Sequence, residues 1–237
     1  MRNNAGVFQK MNAVVYYSNT GQSKAIAEYF AHQLSFPLAD VEQLSNVCYE
    51  NLVLVFPVHC QNVPHVVEKF LKKLQVQNLA LVATYGKMYH GNVLWEIQRK
   101  SIFNIVAGAY VPTKHAYLQQ DETFDNFDKL HCVVEKIKNP STICFPKLRK
   151  NSFANFFPKL RSQLGVKLRK NARCNGCGHC TEQCKLHAID CGVTNNKCIR
   201  CLKCAHTCPQ NALDYTLSLP LKLYLRKQKT TQLVIYV

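Results

Sequence analysis

The stretch Ala13-Val14-Val15-Tyr16-Tyr17-Ser18-Asn19-Thr20-Gly21-Gln22-Ser23 decides how the first half of the chain is read. Its first five residues are apolar, β-branched or aromatic, without polar alternation, as in a strand buried on both faces of a parallel sheet. The next six are hydroxyl and amide residues plus one glycine, with no Lys or Arg. A helical pattern follows at once, with Ala25, Ile26, Ala27, Tyr29, Phe30 and Leu34 on or near one face. A strand that enters a helix through such a turn gathers backbone N–H groups, hydroxyl donors and the positive end of the helix dipole at one point. That point suits a phosphate held without a cation. The plainer alternative is an ordinary N-capped junction, where Ser and Thr are common for that reason alone.

The alternation continues outward. Asn51–Phe56, Asn78–Ala83 and Ile102–Tyr110 read as further buried strands, and Leu38–Val41 supplies a short one between the first two. Val66, Val67, Phe70, Leu71 and Leu74 fall at helical spacing, a weaker helix covers Asn92–Gln98, and Phe124–Ile137 reads as another. Strands alternating with helices predict an α/β domain with a parallel sheet covered on both faces. Ligands of such open sheets bind outside the carboxyl ends of the strands, which marks three loops, Ser18–Ser23, Pro57–Pro64 and Thr84–Gly91. Neither Gly-x4-Gly-Lys nor Gly-x-Gly-x-x-Gly occurs, so a nucleoside-triphosphatase loop and a dedicated nicotinamide domain are not expected.

Ser18-Asn19-Thr20-Gly21-Gln22-Ser23 behind a buried strand resembles the flavin mononucleotide (FMN) phosphate loop of flavodoxins. The resemblance covers residues 12–138 and implies a doubly wound parallel sheet of order 2-1-3-4-5. It implies that Ser18, Asn19, Thr20, Gly21, Gln22 and Ser23 cradle the phosphate. By the same resemblance Pro57, Val58, His59 and the residues up to Asn62 border the isoalloxazine on one side, and Thr84, Tyr85 and Gly86 on the other. Two departures stand out: the second loop offers His59 and Cys60 in place of a Trp or Tyr platform, and the third has Tyr85 and Tyr89 but no acidic residue. His59 and His90 lie in these loops, where a lone histidine is more often simply solvated.

The second half is read from its cysteines. Of thirteen, nine fall between Cys174 and Cys208. Dense clustering in a chain without an evident secretion signal points to metal rather than disulfides. Cys174, Cys177, Cys180 and Cys184 follow Cys-x2-Cys-x2-Cys-x3-Cys, and Cys198, Cys201, Cys204 and Cys208 repeat that spacing 24 residues later, with Pro209 after the last. Ala188-Ile189-Asp190 matches Ala212-Leu213-Asp214, so the whole unit is duplicated, each half a loop, a short helix and a short strand. Structural zinc uses four ligands, usually as two pairs, and two interlocked runs of three plus one do not divide that way.

This is the pattern of bacterial two-cluster ferredoxins, whose fourth cysteine in each run ligates the other cluster. The resemblance implies a small α+β domain in which Cys174, Cys177, Cys180 and Cys208 hold one [4Fe-4S] cluster and Cys198, Cys201, Cys204 and Cys184 the second. Cys191 lies outside the spacing, and Lys185 stands where the family usually has proline. The remaining cysteines, Cys48, Cys60, Cys132 and Cys144, read as core or neutral surface thiols.

Charge divides the chain in the same place. Residues 1–137 hold 12 basic and 11 acidic residues, and residues 138–237 hold 18 and 3, so nearly all of the net +16 lies in the second half. Two oxidised clusters at about −2 each and a flavin phosphate of up to about −2 leave a loaded protein near +10. Residues 138–173 alone carry ten basic residues and no acidic one, and repeat themselves as Phe145-Pro-Lys-Leu-Arg and Phe157-Pro-Lys-Leu-Arg, with Lys147-Leu-Arg-Lys-Asn returning at Lys167. Phe153, Phe156, Phe157, Leu160, Leu164 and Leu168 fall at helical spacing there, with Pro158 kinking or starting the helix. The segment reads as a tether packed on the front domain, as a dock for acidic redox proteins, or as an amphipathic helix in contact with a membrane surface. Charge alone would also admit nucleic acid, but no recognition fold supports it.

The expected organisation is an extension at 1–11, the flavodoxin-like domain at 12–138, a basic linker at 139–171, the ferredoxin domain at 172–215 and a tail at 216–237, the last read as two short strands around Arg226–Thr231. No apolar run approaches transmembrane length, and Ala13–Tyr17 is too short for a signal peptide core, so a cytoplasmic protein is expected. Together the halves resemble the fused flavodoxin–ferredoxin proteins of anaerobic bacteria and some anaerobic eukaryotes. That resemblance implies a carrier of low-potential electrons between redox partners. The alternative is a ferredoxin-dependent flavin reductase acting on a small electrophile such as a quinone or nitro compound, for which His59, His90 and Tyr89 are the only nearby acid or base candidates.

Overall fold

A computed structural model describes residues 11–44, 48–118, 124–149, 158–226 and 231–237. The front half runs β1 (Met11–Tyr16), α1 (Gln22–Leu34), β2 (Leu38–Asp40), β3 (Cys48–Pro57), α2 (His65–Leu71), β4 (Gln75–Tyr85), α3 (Val93–Lys100), β5 (Ile105–Pro112) and α4 (His131–Lys138). β1 pairs in parallel with β2 and β3, β3 with β4, and β4 with β5. The parallel order is therefore 2-1-3-4-5, the flavodoxin-like order expected from the first loop.

Both faces of the sheet are covered, which is why its strands are apolar without alternation. Val15, Leu52, Leu54, Leu79 and Leu81 point to the face under α2 and α3. Val14, Val53, Val55, Ala80, Ala107 and Ala109 point to the other, against α1 and α4. Alanines dominate the second face at β4 and β5, so the helix residues Phe30, Val133 and Val134 fill the space there and are completely buried. Of the residues assigned to the inner stripe of α1, Ala25 instead faces solvent.

The end of the sheet away from the marked loops is tied by an asparagine ladder. Asn51 donates to Asn12 Oδ1 at 3.0 Å, Asn78 to Asn51 Oδ1 at 2.9 Å and Asn104 to Asn78 Oδ1 at 2.8 Å. Thr142 completes it by donating to Asn104 Oδ1 at 2.6 Å. Each amide crosses one strand, so the ladder holds four parallel strands in register where their backbone pairing begins.

Beyond the sheet the chain forms α5 (Pro158–Gly165), β6 (Val166–Lys170), α6 (His179–Glu182), β7 (Ile189–Asp190), β8 (Val193–Thr194), α7 (Lys203–His206), β9 (Leu213–Leu217), α8 (Leu219–Leu225) and β10 (Val234–Tyr236). β6 pairs antiparallel with β9 and β7 with β8. This small α+β unit contains both cysteine runs, with α6 and α7 as the two short helices of the duplication.

Two expectations are corrected. The tail is not a pair of strands: Ser218 and Pro220 start the helix α8, and among the described residues beyond that helix β10 is the strand, returning antiparallel to β5 as a sixth strand of the front sheet. The helical stripe of the basic segment stops at Gly165, because Leu168 lies in β6. Pro158 starts the helix, and Phe153, Phe156 and Phe157 lie outside the described residues. The repeated sequence is not a repeated structure. Phe145 inserts its ring where a Cβ on Gly108 would lie 2.4 Å away, and packs edge-on against Tyr236 at 5.3 Å.

Candidate functional site

The carboxyl ends of β1, β3, β4 and β5 open into one cavity of about 450 Å³, within the usual range for a cofactor-sized ligand. Of the residues named from the sequence, Asn19, Thr20, Gln22, Ser23, Pro57, Val58, His59, Thr84, Tyr85 and Gly86 line it. Ser18 and Gly21 shape its rim instead. Gly21, at φ +92°, caps α1 and donates its N–H to Ser18 Oγ at 3.0 Å. That left-handed turn needs glycine, and it leaves the first-turn N–H groups of α1 without helical partners.

The loops brace one another. Ser23 Oγ and Thr84 Oγ1 share a hydrogen bond of 2.8 Å, Val58 N–H donates to Thr84 O at 2.7 Å, and Thr113 N–H donates to Tyr85 O at 2.8 Å. His59 to Asn62 form a tight turn with two reciprocal backbone bonds, and Cys60 (φ +51°) and Gln61 (φ +65°) take the left-handed conformation. Gly91 makes room for that turn, since a Cβ there would meet Gln61 Cβ at 2.8 Å.

Burial at the wall pushes the His59 pKa down to about 4, so the ring is neutral at pH 7. Burial likewise pushes the Tyr85 phenol up to about 12, and its hydroxyl donates to Gln232 O at 2.6 Å. Two other candidates leave the site. His90 stacks on Tyr110 with ring centroids 3.8 Å apart, and Tyr89 is 60% exposed. Neither lines the cavity.

Other lining residues carry no signal that the motif reading used. Thr113, Lys114, His115, Ala116 and Tyr117 come from the loop after β5, and Ser162, Ile199 and Cys201 from the second half of the chain. The rule that ligands sit beyond strand ends applies to β5 as well and would have pointed to the first group. The second group depends on how the halves dock.

The residues present fit FMN. The helix N-terminus and the hydroxyl-rich loop suit a phosphate, and the cavity suits a ring system. The buried Asn19 Oδ1 has no hydrogen-bond partner among the described residues, which leaves an acceptor for a ligand N–H or O–H.

The cysteines gather into two sets. Cys174, Cys177, Cys180 and Cys208 line one cavity with Gly176, Gly178 and His179. Cys184, Cys198, Cys201 and Cys204 line the other with Asn19, Lys185, Ile199, Arg200 and Lys203. Ala188 N–H donates to Cys184 Sγ and Ala212 N–H to Cys208 Sγ, each at 3.3 Å, the same bond in both halves of the duplication. Among the described residues no three Cys, His, Asp or Glu converge as around a single ion. A cubane spreads its four thiolates over four iron corners, and each set of four cysteines fits that pattern. Desolvation pushes the Cys204 thiol up to about 12, so a thiolate there needs the positive charge of bound iron.

Residues 193–214 match the family described as the 4Fe-4S binding domain. The chain joins a flavodoxin-like fold to a 4Fe-4S domain. Solved structures similar to it include a flavodoxin from the domain Archaea, at 17% identity and TM-score 0.42, covering 54% of this chain and 98% of that one. Another is the rubredoxin oxygen:oxidoreductase of the anaerobe Desulfovibrio gigas, at 14% identity and TM-score 0.43, covering 55% of this chain and 36% of that one. The fold assignment rests on the strand order and not on these scores. No curated protein matches the chain in sequence.

The two halves meet at Lys185. Its ammonium bonds Asp40 of β2, lies 3.5 Å from Glu42, and sits over the rings of Tyr16 and Tyr17 at 5.8 and 5.9 Å. A second contact joins His206 Nε2 to Ala116 O at 2.9 Å. No helix among the described residues is long and apolar enough to cross a membrane.

Proposed function

We propose that this electron-transfer flavoprotein couples one FMN to two [4Fe-4S] clusters and carries low-potential electrons between redox proteins of the cytoplasm. The observation that carries the reading is a shared wall. Asn19, Ile199 and Cys201 line both the FMN-sized cavity and one of the four-cysteine cavities. Bound flavin would exchange electrons singly or in pairs and each cubane one at a time.

The chain's own residues supply the setting for that chemistry. The start of α1 and the Ser18–Ser23 loop hold a phosphate. The neutral His59 adds no charge beside the ring. The basic residues of the linker and ferredoxin half supply a dock for acidic redox partners.

The test is to purify the protein without oxygen and measure iron, sulfide and FMN per chain. About eight iron, eight sulfide and one FMN are expected. Iron and sulfide without flavin, even after FMN is added, would leave a ferredoxin with a docking domain. About four iron would remove one cluster. Cys201→Ala is expected to lose at least half of the iron, because the two runs interlock, and unchanged iron in that variant would overturn the ligand assignment.

A further inference from the structure

The two cysteine runs repeat in backbone as well as in sequence. Gly176 (φ +74°) corresponds to Arg200 (φ +60°), Gly178 (φ +76°) to Leu202 (φ +60°), and His187 (φ +46°) to Asn211 (φ +48°). Glycine adopts this region freely, whereas a residue with a Cβ is strained there. Arg200 therefore occupies a position that its twin fills with glycine, and something must hold it.

What holds it is the cavity of Cys184, Cys198, Cys201 and Cys204, which Arg200 lines. Its Nη1 donates to Thr194 Oγ1 at 2.8 Å and to Cys198 Sγ at 3.6 Å. Its Nε is buried without a hydrogen-bond partner among the described residues. Lys185 and Lys203 line the same cavity, whereas among the described residues no Lys or Arg lines the twin cavity. The duplication is symmetric in its ligands and asymmetric in its charge.

A donor to a ligand sulfur and a nearby positive charge both stabilise the more negative, reduced cluster and raise its potential. Arginine keeps its charge at any working pH. Burial against the front domain acts the other way, but it is diffuse, whereas the guanidinium touches the sulfur. We propose that Arg200 sets the potential of the cluster beside the FMN cavity above that of its twin. An electron delivered to the outer cluster by a one-electron donor protein then settles at the inner one. The outer cluster is oxidised by one electron and the inner reduced by one, with no bond or proton exchanged.

This inference rests on the two-cluster reading, so iron and sulfide are counted first, and a count near four overturns that reading before potentials are measured. The fully loaded protein is then titrated potentiometrically, with reduced clusters followed by low-temperature electron paramagnetic resonance. Two separate one-electron cluster steps are expected. In Arg200→Gln the higher step moves down by at least tenfold in its equilibrium constant, about 59 mV for one electron, and the lower step stays. Arg200→Gly restores the residue of the twin, relieves the backbone, and is expected to shift the same step. Lys203→Gln removes an equal charge without a sulfur contact and is expected to shift it less. Coincident steps in the unsubstituted protein, unmoved steps in both fully loaded Arg200 variants, or equal movement of both steps would overturn the proposal. Loss of iron in both Arg200 variants would also overturn it, by assigning Arg200 to cluster assembly.

Discussion

Lys185 follows Cys184, and Pro209 follows Cys208 at the equivalent place in the second run. The departure from proline has a structural reason: the side chain reaches the front domain and bonds Asp40, whose own side chain is only 9% exposed. Burial lowers the ammonium's pKa, but the bond and charge of Asp40, with Glu42, outweigh it and hold the value above the ordinary one. Lys185→Met would leave Asp40 half-paired in a poorly hydrated position. The expected cost is about 1.5–3 kcal/mol of docking, read as earlier proteolysis of the basic segment with iron content unchanged. His59 carries a pH prediction. Its folded pKa of about 4 lies below the unfolded value of about 6.5, so acid favours the unfolded chain. Stability attributable to this residue falls as pH drops below about 6.5 towards 4, by about 1 kcal/mol between pH 7.5 and 5.5. Denaturant midpoints at the two pH values should show His59→Gln losing less on acidification by that amount.

Among the elements, the parallel strands are held by two different devices. Their middles are held by apolar burial on both faces, and their starts by the asparagine ladder. Asn78 sits at its centre, 8% exposed, donating to Asn51 and accepting from Asn104. Asn78→Ala strands both neighbours, and a loss of about 1–3 kcal/mol is expected in thermal or denaturant unfolding. Asn78→Asp keeps the acceptor for Asn104 and removes the donor to Asn51, so it should also destabilise. The basic segment shows the opposite relation between sequence and element. Phe145-Pro-Lys-Leu-Arg packs as an extended strap with its ring over Gly108, whereas the later copy leads into α5 and Lys167-Leu-Arg-Lys lies in β6. Five residues are too few to specify a conformation, and the surface each copy meets decides it.

For the whole molecule, β10 matters as much as the linker. The chain leaves the front sheet after α4, builds the cysteine unit, and returns to pair with β5. The ferredoxin half is thus fastened to the front sheet at both ends, with Lys185 and His206 as additional contacts between them. This geometry lets Cys201 line the FMN-sized cavity while the set at Cys174 sits apart from it. The surplus of positive charge lies in the same half. Association with an acidic redox protein should therefore be electrostatically steered. Its rate constant, followed by stopped-flow absorbance, should fall several-fold between 50 and 200 mM salt as screening shortens. An ionic-strength-independent rate would remove the docking role of this half.

The fold was legible because it rests on local patterns. Unbroken apolar runs need two covered faces, and the turn at Ser18–Ser23 needs glycine at Gly21, so a parallel sheet and the main wall of the cavity follow from short stretches read alone, while the strand order came with the flavodoxin resemblance. The duplicated cysteine spacing is equally local and marks two runs, 174–184 and 198–208, while the exchange of the fourth cysteine between the two cavities is what the ferredoxin resemblance implied. What stayed hidden is non-local. Nothing near Ile199 or Cys201 marks them as neighbours of the first loop, because their proximity depends on how the two halves dock, with Lys185 meeting Asp40. The tail's return as β10 depends on an open edge at β5 that its own residues do not announce. The left-handed backbone at Arg200 goes with a side chain that reaches Thr194 and Cys198. Sequence alone determined the elements of the front sheet and the ligand types. Tertiary structure decided which four-cysteine cavity shares a wall with the cavity at the strand ends, because that depends on a docking contact between residues 145 positions apart.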